Sequence, residues 1–213
     1  MTSVKSVSIP SVQRLPIYLR FLKEQRNHGE TIISCTRIAE EFGQLSVQIR
    51  KDISITGITG RPKIGYRLDE LIDGIERFLG WDQTICACLV GAGSLGTAIL
   101  GYYGFVDHGM RIVAAFDSSD EKIGTTIHGC PIYDIRDIVS QSAGKHIDVG
   151  ILTVPTEVAQ KIADKLVAIG VRGIWNYAPC RLSLPDHIVC EDAKLSASLA
   201  VLSSRLKMRE EKG

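Results

Sequence analysis

The sequence predicts an α/β chain: an N-terminal winged helix-turn-helix, then a Rossmann-like doubly wound parallel sheet, then a closing helix of separate character. Three observations carry that expectation. Short amphipathic helices precede a glycine- and cation-rich segment in the first third. From about residue 84 onward, apolar strand-like runs alternate with helical ones. At the start of that alternation, "LVGAGSLG" sets Gly91, Gly93 and Gly96 directly after an apolar run and at the opening of a helix. The expected boundaries are 1–80, 81–192 and 193–213, and 213 residues suffice for two modest units.

In "QRLPIYLRFLKEQ", Leu15, Tyr18, Leu19 and Leu22 recur at helical spacing from Gln13 onward. Pro16 is expected in the first turn, where its missing N–H does no harm. "IISCTRIAEEFG" reads as a second helix, with Ser34 as N-cap, Ile33 and Ile38 as a hydrophobic staple and Gly43 as C-terminal stop. "LSVQIRKDISI" gives a third helix that buries Ile49 and Ile53 and offers Ser46, Gln48, Arg50 and Lys51 outward. "TGITGRPKIGYRL" reads as a β-hairpin carrying Arg61 and Lys63. Three helices and a basic hairpin suit a DNA duplex, because a helix fits the major groove and its first residues meet base edges. A small helical domain that binds protein is the alternative. "DELIDGIERFLGW" is a further helix, with Leu71, Ile75, Phe78 and Leu79 on its apolar face.

Charge divides along the same line. Residues 1–67 hold 11 Lys/Arg against 5 Asp/Glu, a net +6, and residues 68–213 hold 14 against 19, a net −5. The basic part is expected to face a polyanion.

In the second unit, "TICACLV" is a buried parallel strand, followed by the glycine turn and a helix from about Ser94 to Tyr103. "MRIVAAFD", "CPIYD", "IDVGIL", "VRGIWNYAP" and "HIVCED" supply further strands, with "TEVAQKIADKLVAIG" a helix among them. Gly91 allows the tight turn, Gly93 lets a pyrophosphate approach the backbone, and Gly96 lets helix pack on strand. The run Gly91, Ala92, Gly93, Ser94, Leu95, Gly96 is therefore the expected phosphate cradle, at a helix N-terminus that favours negative charge. Asp117 ends the next strand, 21 residues after Gly96, where a carboxylate can accept from ribose hydroxyls. Ser118 follows it and no arginine does, so NAD(H) is expected over NADP(H). Two later strand ends, Thr153-Val154-Pro155 and Asn176-Tyr177-Ala178, project toward the same crevice. "KLSASLAVLSSRLKMREEKG" closes the chain as a helix whose Leu195, Leu199, Leu202 and Leu206 form one narrow seam. Such a seam wants a partner, in its own domain or in another subunit.

The composition, 45% hydrophobic and 23% charged, is that of an ordinary globular protein. No run approaches the ~18 apolar residues of a membrane span. The N-terminus lacks the apolar core of a signal peptide, so a cytoplasmic location without membrane partners is expected. Cys35, Cys86, Cys88, Cys130, Cys180 and Cys190 lack metal-ligand spacing and read as free thiols, with Cys86 and Cys88 buried and no metal bound. The five histidines read as isolated. No proton donor or acceptor marks a catalytic site, and no residues remain for a substrate domain, so an enzyme is not expected.

The order of these pieces resembles the redox-sensing transcriptional repressors called Rex. "RLPIYLRFL" is similar to that family's first helix and "VQIRKDIS" to its recognition helix. "GYYGF", "FDSSDEKIG", "LTVP" and "WNYAP" are similar to its later signatures. The resemblance implies a homodimer with a C-terminal helix swapped onto the partner, a palindromic operator on double-stranded DNA, and NADH and NAD+ as cofactors. NADH would close the dimer and move the recognition helices out of register, whereas NAD+ would permit DNA binding. It adds Lys122 to the cofactor residues and places Tyr102 beside the nicotinamide. It also implies a switch in which an acid pairs with Arg20 or with Tyr102. Here Lys194 stands at that acid's place, with Asp192 two residues earlier, and "RPKIGY" carries Lys63 where the family's wing has glycine.

Three readings follow. The first is a dimeric repressor whose operator binding responds to NADH and NAD+. The second keeps the DNA-binding dimer but holds NAD+ as structure, or binds another nucleotide. The third is a small NAD-dependent oxidoreductase with an N-terminal interaction domain.

Overall fold

A computed structural model describes residues 7–193 and 195–210. The chain forms two compact units, Met1–Gln83 and Thr84–Gly213.

The first unit contains α1 (Ile9–Asn27), β1 (Ile32–Ile33), α2 (Cys35–Phe42), α3 (Ser46–Ser54), β2 (Tyr66–Arg67) and α4 (Leu68–Leu79). Its core is built by Leu15, Tyr18, Leu19, Leu22, Ile38, Ile49, Ile53, Leu71 and Ile75, all nearly or fully buried. Ser34 caps α2 by accepting the Arg37 N–H at 3.1 Å, and Gly43 ends that helix in the left-handed region at φ 59°. Two expectations are corrected. Helix α1 starts at Ile9, with Pro10 in its first turn, so Pro16 lies in the interior. An interior proline removes one backbone bond at a cost of ~3 kcal/mol. The helix runs through because Leu15, Tyr18, Leu19 and Leu22 are all buried, and packing of such a face outweighs propensity. The expected hairpin is reduced to one bridge, Arg61 with Gly65, and β2 pairs instead with β1.

The second unit contains β3 (Ile85–Val90), α5 (Ser94–Leu100), β4 (Met110–Asp117), β5 (Thr126–Ile127), β6 (Cys130–Asp134), α6 (Ile138–Ser142), β7 (Val149–Leu152), α7 (Thr156–Ala168), β8 (Gly173–Asn176), β9 (Val189–Asp192) and α8 (Leu195–Glu210). The sheet order is β5-β6-β4-β3-β7-β8-β9, parallel except for the β5–β6 pair. The strand order reverses between β3 and β7, and ligands of such sheets bind at that switch point, beyond the strands' carboxyl ends. Strand β3 is central and reads almost continuously apolar because helices cover both its faces, giving separate cores around Cys88–Val90–Phe116 and around Ala87–Leu89–Ala115.

Helix α5 ends at Leu100, short of the expected Tyr103. Gly101 ends it, and a Cβ there would lie 2.8 Å from the His128 imidazole. A 3₁₀ turn over Tyr103–His108 follows. The β5–β6 hairpin was not expected; its two-residue turn places His128 at φ 49° and Gly129 at φ 80°, the paired positive values such a tight turn requires. Among the described residues no helix is long and apolar enough to cross a membrane, and no cluster of three or more His, Cys, Asp or Glu could hold a metal ion. Cys88 is buried as expected, and burial pushes its thiol up to about 12, whereas Cys86 is only half-buried. His146 is not isolated, because its Nε2 lies 2.9 Å from Asp148 Oδ1.

Candidate nucleotide pocket and nucleic-acid interface

The glycine turn is held from both sides, by Asp117 at the end of β4 and by Lys122 in the loop beyond it. The Ala92 N–H donates to Asp117 Oδ2 at 2.7 Å, and Lys122 Nζ donates to the Ala92 carbonyl at 2.9 Å. Asp117 Oδ1 also accepts the Ser119 N–H at 2.9 Å, and Lys122 Nζ lies 3.8 Å from Asp117 Oδ2. The carboxylate thus fixes the turn itself, with lone pairs remaining for a ribose.

Behind the turn, the Thr153 hydroxyl donates to the Gly91 carbonyl at 2.7 Å. A Cβ on Gly91 would lie 2.5 Å from the Thr153 carbonyl, and one on Gly96 would lie 2.0 Å from the Gly91 carbonyl. Both glycines are demanded by close backbone packing. Gly93 differs: nothing stands within 4 Å of its Cβ position. The open face at Gly93, at the start of α5, fits a pyrophosphate, as the dinucleotide reading requires.

A cavity of about 450 Å³ opens there. Of the expected cofactor residues it gathers Gly91, Gly93, Asp117, Ser118, Lys122, Thr153, Val154 and Pro155. It also gathers Ile135, Arg136, Val158, Lys161, Ile162 and Lys165, which the sequence reading missed. Only the i, i+3, i+4 spacing of Val158, Lys161 and Ile162 on α7 hinted at a shared face. The apolar members suit a planar base and the cations suit phosphates.

The second strand-end motif and Tyr102 lie outside this cavity. Asn176 is buried and committed: its Nδ2 donates to the Cys180 carbonyl and to Asp192 Oδ1, both at 2.9 Å, and its Oδ1 accepts the Ala178 N–H at 3.0 Å. Ala178 is buried too. Tyr102 is 57% exposed and lines a separate small hollow with His128 and Cys130. An aromatic chain joins it to the end of β8, Tyr102 to Phe105 at 4.7 Å, Phe105 to Trp175 at 5.6 Å and Trp175 to Tyr177 at 5.2 Å. Asp192 is tied to Asn176, and Lys194 lies outside the described residues. Arg20 is exposed, 3.9 Å from Glu24.

In the first unit, α3 and the wing flank a groove of about 650 Å³ that brings Arg50, Arg61 and Lys63 together. Lys63 has φ 62°, a left-handed conformation that a glycine adopts more readily. Lys51 is exposed beside Arg50. Ser46 is half-buried. Gln48 is a correction, because its Nε2 donates inward to Asp52 Oδ1 at 2.8 Å rather than facing outward. The i, i+4 spacing of Gln48 and Asp52 allows that bond on any helix. It went unread because Asp52, a buried charge, was not expected in the core.

Two family models match the chain: "CoA binding domain" over residues 82–180 and "Putative DNA-binding protein N-terminus" over residues 6–54. The chain is 40% identical to the redox-sensing transcriptional repressor Rex of Treponema denticola, over 99% of this chain and all of that one. It is 40% identical to the Rex of Bacteroides thetaiotaomicron, over 94% and 91%. A crystal structure of RSP with β-NAD+ and operator DNA superposes with a TM-score of 0.89 at 35% identity, covering 97% of this chain and 95% of that one. RSP with β-NADH gives 0.84 at 34% identity, covering 97% of each. With two folded units in the expected order and identity sustained end to end, this chain belongs to the Rex family of redox-sensing transcriptional repressors.

Proposed function

We propose that the chain is a homodimeric repressor that binds a palindromic operator and loosens its hold when NADH replaces NAD+. The observation that carries this reading is the presence, in one chain, of a glycine turn open at Gly93 and a cationic groove on the winged unit. RSP, similar over 97% of this chain, has been solved with NAD+ and operator DNA and with NADH. Gly91 to Gly96, Asp117, Lys122 and the Thr153–Pro155 strand end would hold the dinucleotide, and Arg136, Lys161 and Lys165 would surround its adenosine half. A bound dinucleotide supplies the redox-dependent difference; the protein's own part is to hold it and change shape. Arg50, Lys51, Arg61 and Lys63 would meet the DNA.

The homodimer is supported by α8, whose described side chains from Ser196 to Glu210 are all exposed, Leu199, Leu202 and Leu206 among them. A leucine seam without cover in its own chain fits a second copy. The chain acts as a regulator rather than a catalyst, as the repressor names of its relatives support, and it works where operator DNA is, in the cytoplasm.

The test is operator binding at fixed salt with added NADH or NAD+. NADH is expected to weaken binding and NAD+ to leave it; equal affinity under both rejects the sensor. A second reading, NAD+ as a permanent structural ligand, is favoured by one contact. Asp192 accepts from the Asn176 amide at 2.9 Å, a bond that a mobile pairing with Arg20 or Tyr102 would have to share or break. Copurified NAD+ that NADH cannot displace would establish that second reading.

A further inference from the structure

The third helix breaks a local rule at its N-cap. Ser34 caps α2 with its hydroxyl, but the equivalent place before α3 is taken by Leu45, extended at φ −79° and ψ 135°, whose side chain forms no cap. Leucine is a poor residue there, because it has no oxygen to accept an amide of the first turn. Burial does not compensate: Leu45 is 78% exposed and Val47, the second residue of the helix, is 69% exposed. Val47 heads the outward stripe at i, i+3, i+4 that continues with Arg50 and Lys51, while Ile49, Asp52 and Ile53 face the core. Two bare apolar side chains therefore stand at the N-terminal end of a cationic face. Residues that break a local rule without structural gain are expected at functional sites.

Resting on the DNA-binding reading above, we infer that Leu45 and Val47 are specificity-determining residues that read thymine 5-methyl groups in the major groove. The first residues of such a helix are those that meet base edges. The thymine methyl is the one apolar group that edge presents. The adjacent Arg50 and Lys51, with Arg61 and Lys63 across the groove, match a phosphate-flanked surface and disfavour an apolar protein partner. Gln48, which could otherwise hydrogen-bond a base, is turned inward to Asp52. The polar reading of this helix is reduced, and the apolar one takes its place.

The experiment lets the full chain select duplexes from a random pool. Each thymine of the selected half-site is then replaced by deoxyuridine, which deletes only the methyl group. One or two replacements are expected to weaken wild-type binding about fourfold each, the value of burying one methyl, while the others are neutral. Leu45→Ser and Val47→Ala are expected to erase that thymine preference, and Leu45→Ser to raise the melting temperature, because serine can cap α3. Equal wild-type affinity for every substituted duplex overturns the inference and leaves DNA binding standing. Selection of no duplex at all overturns both. A Leu45→Ser protein that melts earlier or falls to monomers assigns the leucine to protein packing and also overturns it. The deoxyuridine arm requires no variant to fold.

Discussion

Arg14 grips Asp52 with two parallel hydrogen bonds, Nε to Oδ2 and Nη2 to Oδ1, each 2.7 Å. The Tyr18 hydroxyl donates to the same carboxylate at 2.9 Å, so α1 is fastened to the helix expected to meet DNA. Asp52 is fully buried and Arg14 is about a quarter exposed. Removing Arg14 therefore strands a buried charge, whereas removing the acid leaves an arginine that water can reach. Arg14→Ala is expected to destabilise the protein by ~3–5 kcal/mol. Asp52→Asn is expected to cost less, because the amide oxygen still accepts. Urea titration of the full chain compares them, and a smaller loss for Arg14→Ala than for Asp52→Asn contradicts the clamp.

The same carboxylate sets an acid limit. Burial pushes Asp52 up, but hydrogen bonds from Arg14, Ser11, Tyr18 and Gln48 outweigh it and hold the group below its ordinary value. Asp148 behaves alike: burial pushes it up, and the Cys86 N–H, Arg172 and nearby His146 pull it lower. Between the unfolded and folded values the unfolded chain binds more protons, so stability rises with pH there. The contribution is complete above the unfolded value of about 4 and is lost as pH falls through the folded values. Asp52→Asn should flatten part of this decline in urea midpoints measured below pH 4; an unchanged slope refutes the assignment.

The fold was legible because it rests on periodicity and glycine spacing. "ICACLV" is apolar throughout since both its faces are covered, and the spacing of Gly91, Gly93 and Gly96 marks a turn in which Gly91 and Gly96 leave no room for a Cβ. What stayed hidden depends on contacts between residues distant in sequence. Arg136, just beyond β6, and Lys161 and Lys165, on α7, reach the cavity only because the fold brings these distant segments to the carboxyl ends of β3 and β4. Gln48 looked like a DNA contact until Asp52, four residues on, proved to be buried. Pro16 looked like a helix start because local sequence cannot show how much buried surface carries α1 through it.

The seam on α8 gives a prediction for assembly. Leu199, Leu202 and Leu206 are each more than half exposed, and together they would expose an apolar stripe if the chain stayed single. Leu199→Asp with Leu202→Asp is expected to shift the proposed dimer to monomer in sedimentation. The second unit should keep its stability within about 0.5 kcal/mol, since these side chains are exposed in their own chain. A dimer that persists in the double variant places the interface elsewhere.

Lys63 sets conformation against charge. At φ 62° a lysine is strained where glycine is not, so Lys63→Gly is expected to stabilise the wing by up to ~1 kcal/mol. The same change removes a cation from the groove and should reduce the slope of log affinity against log salt by ~1. Lys63→Ala separates the effects, losing the charge without relieving the strain. An unchanged salt slope in both variants removes Lys63 from the interface.

The glycine turn separates folding from ligand binding at two residues three positions apart. A Cβ at Gly96 would lie 2.0 Å from the Gly91 carbonyl, and backbone cannot retreat there because Thr153 braces it with a 2.7 Å hydrogen bond. Gly96→Ala is expected to cost ~3 kcal/mol, by the overpacking it forces. Gly93 has φ −68° and an empty Cβ direction, so Gly93→Ala should fold with stability within ~0.5 kcal/mol of the parent. Its methyl would nevertheless occupy the face offered to a pyrophosphate. NADH affinity, read by fluorescence titration, should fall tenfold or more, a loss of ~1.4 kcal/mol. A Gly93→Ala protein that binds NADH as tightly as the parent would mean the turn only joins strand to helix, and the dinucleotide site would have to be sought away from α5.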